Sequence, residues 1–314
     1  MHKEYTIEVP LYSRPVKDLA KINSSEDISI IVYGGIPNSP LNGGRMNFAL
    51  DGLFLWNSFF HLRSSQLERV TAKFYETVSE INRHGMSFCV TCTNIFVSEK
   101  ELNEANLYPI QWLVESSQKH GIKNGVILNN ALLEEHLRRK YGDKLIYISS
   151  CTKYALPHKM LAPSDTISMY KEDCDKYDFV VLTPQDSRRE QAIKKMASEH
   201  KNRIIAIANS YCSNGCNTYY HYAYTSRQNK ISLLRVLPDR DVIVALIKFL
   251  PCLLKCSVFW HVFFPVEVEK IATRQLNAGI VNFKLGRGFG VEKLEKLVIL
   301  ILKFKRLSME TAVF

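Results

Sequence analysis

Two cysteines separated by three residues, Cys212 and Cys216, are the side chains in this sequence best suited to chemistry. They follow an apolar run at residues 204–208, which predicts a buried strand. Asn214 and Gly215 lie between the two cysteines and permit a tight turn, so both sulfur atoms can face one point. We therefore expect a pair of thiolate ligands just beyond the end of a strand.

A second pair with the same spacing, Cys252 and Cys256, follows later in the chain, and the two pairs predict a four-thiolate site. Soft thiolates select zinc, copper(I) or an iron–sulfur cluster. Structural zinc sites usually have two-residue gaps, so the three-residue gap is less typical of zinc. A radical-SAM motif would need a third cysteine three residues after Cys216. That position is Tyr219, which counts against a radical-SAM enzyme. The alternative is that all four are buried core thiols, because free cysteine is among the most buried residue types.

The other cysteines fit this site less well. Cys89 and Cys92 lie three apart on a predicted strand, so their side chains face opposite sides and are expected in the core. Cys92 and Cys151 each lie near the end of a predicted strand and are reserve ligands. His221 follows the first pair and is a candidate to contact a cluster or a substrate, or an ordinary hydrogen-bonded residue.

A second candidate site lies near the C-terminus, where Lys284 and Arg287 end a predicted strand. Gly286, Gly288 and Gly290 alternate around Arg287 and let backbone N–H groups approach a ligand closely. Such a segment favours a subsite that binds an anionic group, although glycine-rich turns between strands and helices are common.

The elements that must position these residues alternate between strand and helix patterns. Apolar runs predict strands at residues 28–33, 86–91, 125–128, 144–148, 178–182, 203–208 and 280–285, with one more at 231–236 or 242–246. Helical patterns lie between most of them. About eight alternating units predict a single-domain (β/α)₈ barrel of the TIM type, with an open doubly wound sheet as the alternative. We expect residues 1–27 to be a polar lead-in and 28–314 to form the barrel.

In a barrel of this type the active site lies at the C-terminal ends of the strands. The residues that follow the predicted strands are small, amide or charged groups, and Asn94, Asn129 and Asn209 are the candidate pocket residues. Each is also an ordinary choice for a turn or a helix N-cap.

Composition limits the class of protein. We find no secretory signal and no run of the ~18–20 apolar residues that a membrane helix needs, so we expect a cytoplasmic protein without a membrane span. In the reducing cytoplasm, eight cysteines favour free thiols or metal ligands over disulfides. A formal net charge of +10 indicates an anionic small molecule or nucleic acid as partner, or simply a solvated basic surface, because the lysines and arginines are dispersed.

Two segments resemble the collagenase-like peptidase family of unassigned catalytic type (U32). The first runs from Asn209 through the cysteine turn to His221 and Tyr222, followed by Cys252 and Cys256. The second begins with a helix start at residues 265–267 and continues as the glycine-led strand at 278–287, which ends in Lys, Gly and Arg. The first two cysteines lie closer together here than is usual in the family.

The resemblance implies a barrel-type catalytic domain and, as in several relatives, a [4Fe–4S] cluster. Those relatives include oxygen-independent hydroxylation proteins of ubiquinone biosynthesis and proteins that hydroxylate RNA bases. The favoured hypothesis is therefore an iron–sulfur enzyme that hydroxylates or modifies a small-molecule or nucleic-acid substrate. A cluster-free hydrolase or peptidase is the second hypothesis, although no Ser/His/Asp order or H-E-x-x-H motif is present. The third is a non-enzymatic protein that binds zinc and a protein partner.

Overall fold

The fold is taken from a computed structural model of the 314-residue chain. The structure describes residues 3–11, 14–37, 39–43, 47–50, 53–56, 64–154, 163–209, 226, 268–286 and 292–311.

Eight parallel strands close into a barrel in the order β1-β10-β9-β8-β7-β6-β5-β2. The barrel strands are β1 (Tyr5–Pro10), β2 (Ile28–Gly34), β5 (Ser87–Cys92), β6 (Gly125–Leu128), β7 (Ile146–Ser149), β8 (Phe179–Val181), β9 (Ile204–Ile207) and β10 (Asn282–Lys284). A separate antiparallel hairpin joins β3 (Asn47–Leu50) to β4 (Leu53–Trp56). The prediction of a (β/α)₈ barrel is confirmed, and the open doubly wound sheet is excluded.

The helices between the strands are α1 (Val16–Asn23), α2 (Ser64–Arg83), α3 (Glu104–His120), α4 (Ala131–Tyr141), α5 (Pro163–Lys176), α6 (Glu190–His200), α7 (Val268–Asn277) and α8 (Glu292–Thr311). Local side chains fix several ends. Asn103 and Asn130 cap α3 and α4 by accepting hydrogen bonds from Asn106 N and Leu133 N. Gly121 ends α3 with φ of 64°, in the left-handed region that glycine tolerates.

The first barrel strand lies where the sequence predicted a lead-in. Residues 5–10 pair in parallel with β2 on one side and β10 on the other, so the expectation of a polar lead-in over 1–27 is wrong for this segment. The strand was missed because of Glu8. A charged residue usually indicates an exposed position, but the Glu8 side chain is fully buried. Tyr5, Ile7 and Val9 alternate with it and pack in the core.

The strand predicted at 231–236 or 242–246 falls outside the described residues. Strand β9 pairs directly with β10, with Asn282 opposite Ile205, and the eighth position of the barrel is filled by β1. The other seven predicted strands overlap barrel strands.

Two apolar shells hold the barrel together. The inner shell consists of inward-facing side chains from alternate strand positions, namely Ile31, Tyr33, Cys89, Ile127, Ile148, Val181, Ile205 and Ile207. The outer shell lies between strands and helices and includes the fully buried Phe74, Phe88 and Phe283. Because both faces of each strand are covered, the strands read as continuous apolar runs in the sequence.

Candidate functional site at the barrel mouth

The barrel mouth is defined here as the C-terminal ends of the eight strands and the residues that come directly after them. Lys284 ends β10, Asn129 directly follows β6, and Asn94 and Asn209 each come two residues after β5 and β9. Since all eight strands are parallel, these four residues lie at one end of the barrel. The structure thus brings the described candidate residues to the mouth, but their contacts assign them different roles.

A buried ion pair joins Lys284 Nζ to Glu8 Oε2 inside the barrel. The strand registers place Lys284 in one layer with Tyr33, Ile127 and Val181, and place Glu8 one layer deeper. The Lys284 side chain is 12% exposed and that of Glu8 is 0% exposed, so solvent meets the lysine first. The ion pair therefore forms a charged floor below the mouth.

The ammonium group of Lys284 stays charged despite its burial. Desolvation alone would lower the pKa of Lys284, but the adjacent Glu8 carboxylate outweighs it, with a smaller contribution from Tyr33, and the pKa is raised above its usual value. The Tyr33 ring lies 3.8 Å from Lys284 Nζ, measured to the ring centroid, in a cation–π contact. Tyr33 Oη in turn donates to the Leu285 carbonyl at 2.7 Å. A charged lysine is a poor nucleophile, so its role at the floor is electrostatic.

Glu8 is the site residue that the sequence did not reveal. One carboxylate oxygen, Oε2, accepts from Lys284, whereas Oε1 is buried and has no hydrogen-bond partner among the described residues. Buried polar atoms of this kind are few in folded proteins, and each calls for an explanation such as a bound group. The signal in the sequence was a lone glutamate within the apolar alternation of residues 5–9.

Asn129 also presents an unfilled acceptor. Its Nδ2 donates to the Thr93 carbonyl at 2.9 Å and to Thr152 Oγ1 at 2.8 Å. Its Oδ1 is buried and has no partner within the described part of the chain. Because both donors are used, the side chain is held in place with the oxygen left over for another group.

The other two asparagines hold loops. Asn94 Nδ2 donates to the Pro40 carbonyl at 2.6 Å, and Asn94 Oδ1 accepts from Phe96 N at 2.9 Å. Asn209 grips Gly286 at both backbone groups, with Oδ1 accepting from Gly286 N at 2.5 Å and Nδ2 donating to Gly286 O at 3.2 Å. Asn209 therefore fixes the start of the glycine-rich segment to the end of β9.

A turn after β7 supplies further residues to the mouth. Cys151–Tyr154 forms a 3₁₀ turn, and Asp173 on α5 anchors it from behind. The Asp173 carboxylate accepts from Lys153 Nζ at 2.7 Å and from Tyr154 Oη at 2.6 Å. The aspartate thereby positions Thr152, which contacts Asn129, and the neighbouring Cys151.

The described cysteines divide into core and mouth. Cys89 is in the inner shell and Cys92 in the outer shell, both without exposure, which confirms that they face opposite sides of β5. Burial raises the pKa of Cys92 and of Cys174 to about 12, so these thiols stay protonated at neutral pH. Cys151 is half-buried and lies near Lys284, where a charged thiolate would add to the effect of Glu8 in raising the pKa of that lysine. Of the two reserve ligands, Cys92 lies in the core and Cys151 at the mouth.

The remaining candidate residues lie outside the part of the chain that the structure describes, namely Cys212, Cys216, His221, Cys252, Cys256 and Arg287. Among the described residues, no group of three or more histidine, cysteine or acidic side chains is arranged to hold a metal ion. The predicted four-thiolate site at Cys212, Cys216, Cys252 and Cys256 therefore stays a prediction.

No family model matches the chain, and no curated protein matches it either. Among solved structures, a U32 peptidase matches with 11% identity over 92% of this chain and 94% of that chain, with a TM-score of 0.45. A D-tagatose 3-epimerase-like protein matches with 9% identity over 99% and 92%, with a TM-score of 0.31. D-psicose 3-epimerase matches with 12% identity over 78% and 87%, with a TM-score of 0.37. At these levels the likeness assigns no activity, and membership of the U32 family stays a prediction.

The described helices include none with the length and apolar content needed to span a bilayer.

Proposed function

We propose that this chain is a barrel enzyme that carries an iron–sulfur cluster at its mouth and modifies an anionic small-molecule or nucleic-acid substrate there. The ligands would be Cys212, Cys216, Cys252 and Cys256. Such a cluster supplies one-electron transfer when it is bound, at a potential tuned by burial and by hydrogen bonds to its sulfurs.

The observation that carries the proposal is the position of Asn209 at the mouth, clamped to Gly286. Cys212 follows Asn209 by three residues. A fully extended chain covers at most ~3.6 Å per residue, so covalent geometry limits the distance between the Cα atoms of Asn209 and Cys212 to about 11 Å. This limit supports a first thiolate near the end of the barrel at which enzymes of this fold place their active sites.

The chain's own residues have separate roles in this proposal. Arg287 directly follows Gly286, the residue that Asn209 holds, and would bind the anionic part of the substrate through its forked guanidinium group. Lys284 contributes a fixed positive charge on the floor, although Glu8 compensates much of it. The formal net charge of +10 favours the approach of an anion.

Anaerobic purification followed by iron, sulfide and zinc analysis tests the proposal. We expect about four irons and four sulfides per chain, as in a [4Fe–4S] cluster, together with visible absorbance that is lost in Cys212→Ser. The matched control is Cys174→Ser, since Cys174 lies on α5 with its side chain buried in the outer shell, and this change should leave the iron content unchanged.

The other outcomes each support a rival function. One zinc and no iron per chain would support the rival function of a non-enzymatic zinc-binding protein with a protein partner. A chain without metal that still turns over a peptide would be a cluster-free hydrolase. If Cys212→Ser loses iron and Cys252→Ser does not, the cluster proposal stands but its ligand set is wrong. Cys151 is then the next ligand to test.

A further inference from the structure

We infer that the barrel interior below the mouth binds a neutral hydroxyl-bearing group, the class of ligand represented by a polyol or by the sugar part of a larger molecule. The inference rests on the proposed function only in taking the mouth as the substrate site, and it does not require the cluster. It begins from two unfilled acceptors, Glu8 Oε1 and Asn129 Oδ1.

The floor presents an acceptor and a donor side by side. Glu8 Oε1 has no partner among the described residues, and the adjacent Lys284 ammonium group has three N–H donors. One of these donors is directed to Glu8 Oε2. A hydroxyl group both donates and accepts, so a single alcohol can donate to Glu8 Oε1 and accept from Lys284.

Charge selects against the other simple ligand groups. An ammonium group at Glu8 Oε1 would lie beside the ammonium group of Lys284, and like charges at that distance repel strongly in a buried site. A carboxylate or fully ionised phosphate would place acceptor oxygens against an acceptor oxygen, while the charge of Lys284 is already compensated by Glu8. The neutral hydroxyl is the group that matches both atoms.

Polar side chains lie in the two layers above Lys284. The registers place Thr91 and Ser150 one layer above Lys284, and Asn129 and Thr183 in the layer above them. Thr91 and Thr183 keep 8% and 9% exposure and the Lys284 side chain keeps 12%, so solvent still reaches these three layers. A second hydroxyl of a polyol would donate to Asn129 Oδ1, which lies three strands from Glu8 around the barrel.

The test measures binding of xylitol to the full chain by saturation-transfer NMR. Direct binding is needed because polyols stabilise folded proteins in general by exclusion from their surface, so a thermal shift would not discriminate. We expect saturable binding of xylitol, and at least tenfold weaker binding of 1,5-pentanediol, which has the same carbon chain and three hydroxyls fewer. Inorganic phosphate should not compete with xylitol in the Arg287→Ala variant.

Variants test the site itself. Glu8→Met/Lys284→Met removes both charges with apolar side chains of similar length, and we expect it to weaken xylitol binding at least about tenfold, the loss expected for a hydrogen bond to a charged group. The matched control is Glu199→Met/Lys171→Met, which removes an exposed ion pair on the outer helices. If the double variant at the floor does not fold, the comparison between xylitol and 1,5-pentanediol on the wild-type chain decides alone.

Three results would overturn the inference. They are the absence of saturable xylitol binding, equal binding of the two alcohols, and competition by phosphate in Arg287→Ala, which would make Lys284 a free anion site. Repeating the titration with Cys212→Ser separates this inference from the proposed function. Xylitol binding that persists without iron supports the hydroxyl site whatever the fate of the cluster.

Discussion

Removing one partner of the Glu8–Lys284 pair should destabilise the barrel far more than removing both. Glu8 is fully buried and Lys284 nearly so, and either charge left alone would face low-dielectric surroundings. Breaking a buried pair by deleting one partner typically costs about 3–5 kcal/mol, whereas replacing both by apolar side chains is often close to neutral. We therefore expect a large coupling energy between Glu8→Met and Lys284→Met.

The assay is urea unfolding of the wild type, both single variants and the double variant, followed by circular dichroism and tryptophan fluorescence. With a slope of about 3 kcal/mol per molar urea, each single variant should unfold about 1–2 M earlier than the wild type. The double variant should recover most of that shift. The exposed pair Lys171–Glu199, treated in the same way, should show a coupling of only about 0–1 kcal/mol.

The pH dependence gives this prediction a sign. In the wild type the pKa of Lys284 is raised, so the stability it contributes is present at neutral pH and is lost as the pH rises through that pKa. In Glu8→Met the carboxylate that raises the pKa of Lys284 is gone, and desolvation is opposed only by smaller contributions such as that of Tyr33. We therefore expect the pKa of Lys284 to fall below that of a lysine in the unfolded chain. The penalty of Glu8→Met should then shrink as the pH rises from 7 towards ~10.4, the pKa of an unperturbed lysine. Additive single variants within about 0.5 kcal/mol, or a penalty that grows with pH, would refute the reasoning.

Three further predictions concern the mouth. Arg287→Ala should weaken binding of inorganic phosphate, measured by calorimetry, more than it lowers the urea midpoint, and Arg287→Lys should also weaken it because the forked geometry is lost; an unfolded Arg287→Ala chain would make this arginine structural. Asn209→Ala should cost about 1–3 kcal/mol, because it leaves both backbone groups of Gly286 without their partner, and an unchanged urea midpoint would show that water replaces the asparagine. A thiol reagent at pH 8 should label Cys151 in the native protein, as read by peptide mass spectrometry, and leave unlabelled the buried thiols with raised pKa, Cys89, Cys92 and Cys174; rapid labelling of any of these three would contradict their burial.

Local pattern was sufficient for most of the barrel. Strands such as β6 and β9 are short apolar runs bounded by turn residues, and burial on both faces makes such runs continuous. The position of Asn94, Asn129 and Asn209 at one end followed from the parallel order of the strands. The partners of each asparagine could not be inferred in this way, since Pro40, Thr152 and Gly286 lie in other parts of the chain.

Strand β1 escapes local pattern for a physical reason. A glutamate among apolar residues has the appearance of a solvent-facing position, and only a partner far away in the sequence makes its burial tolerable. That partner, Lys284, is 276 residues further along the chain. No local period contains this information, so the ion pair and the unfilled oxygen of Glu8 were visible only in the folded arrangement.

The pairing of β1 with β10 also sets the order of events during synthesis. At about 5–20 residues per second, β1 emerges roughly 15–55 s before the ribosome delivers the strand that completes the ring. Until then the nascent barrel has two unpaired edges, on β1 and on β9, and an unneutralised glutamate at its centre. A chain that stalls before Asn282 would expose both edges to other chains, and unpaired strands are templates for aggregation. Strand β10, only three residues long, thus converts an aggregation-prone intermediate into a closed barrel.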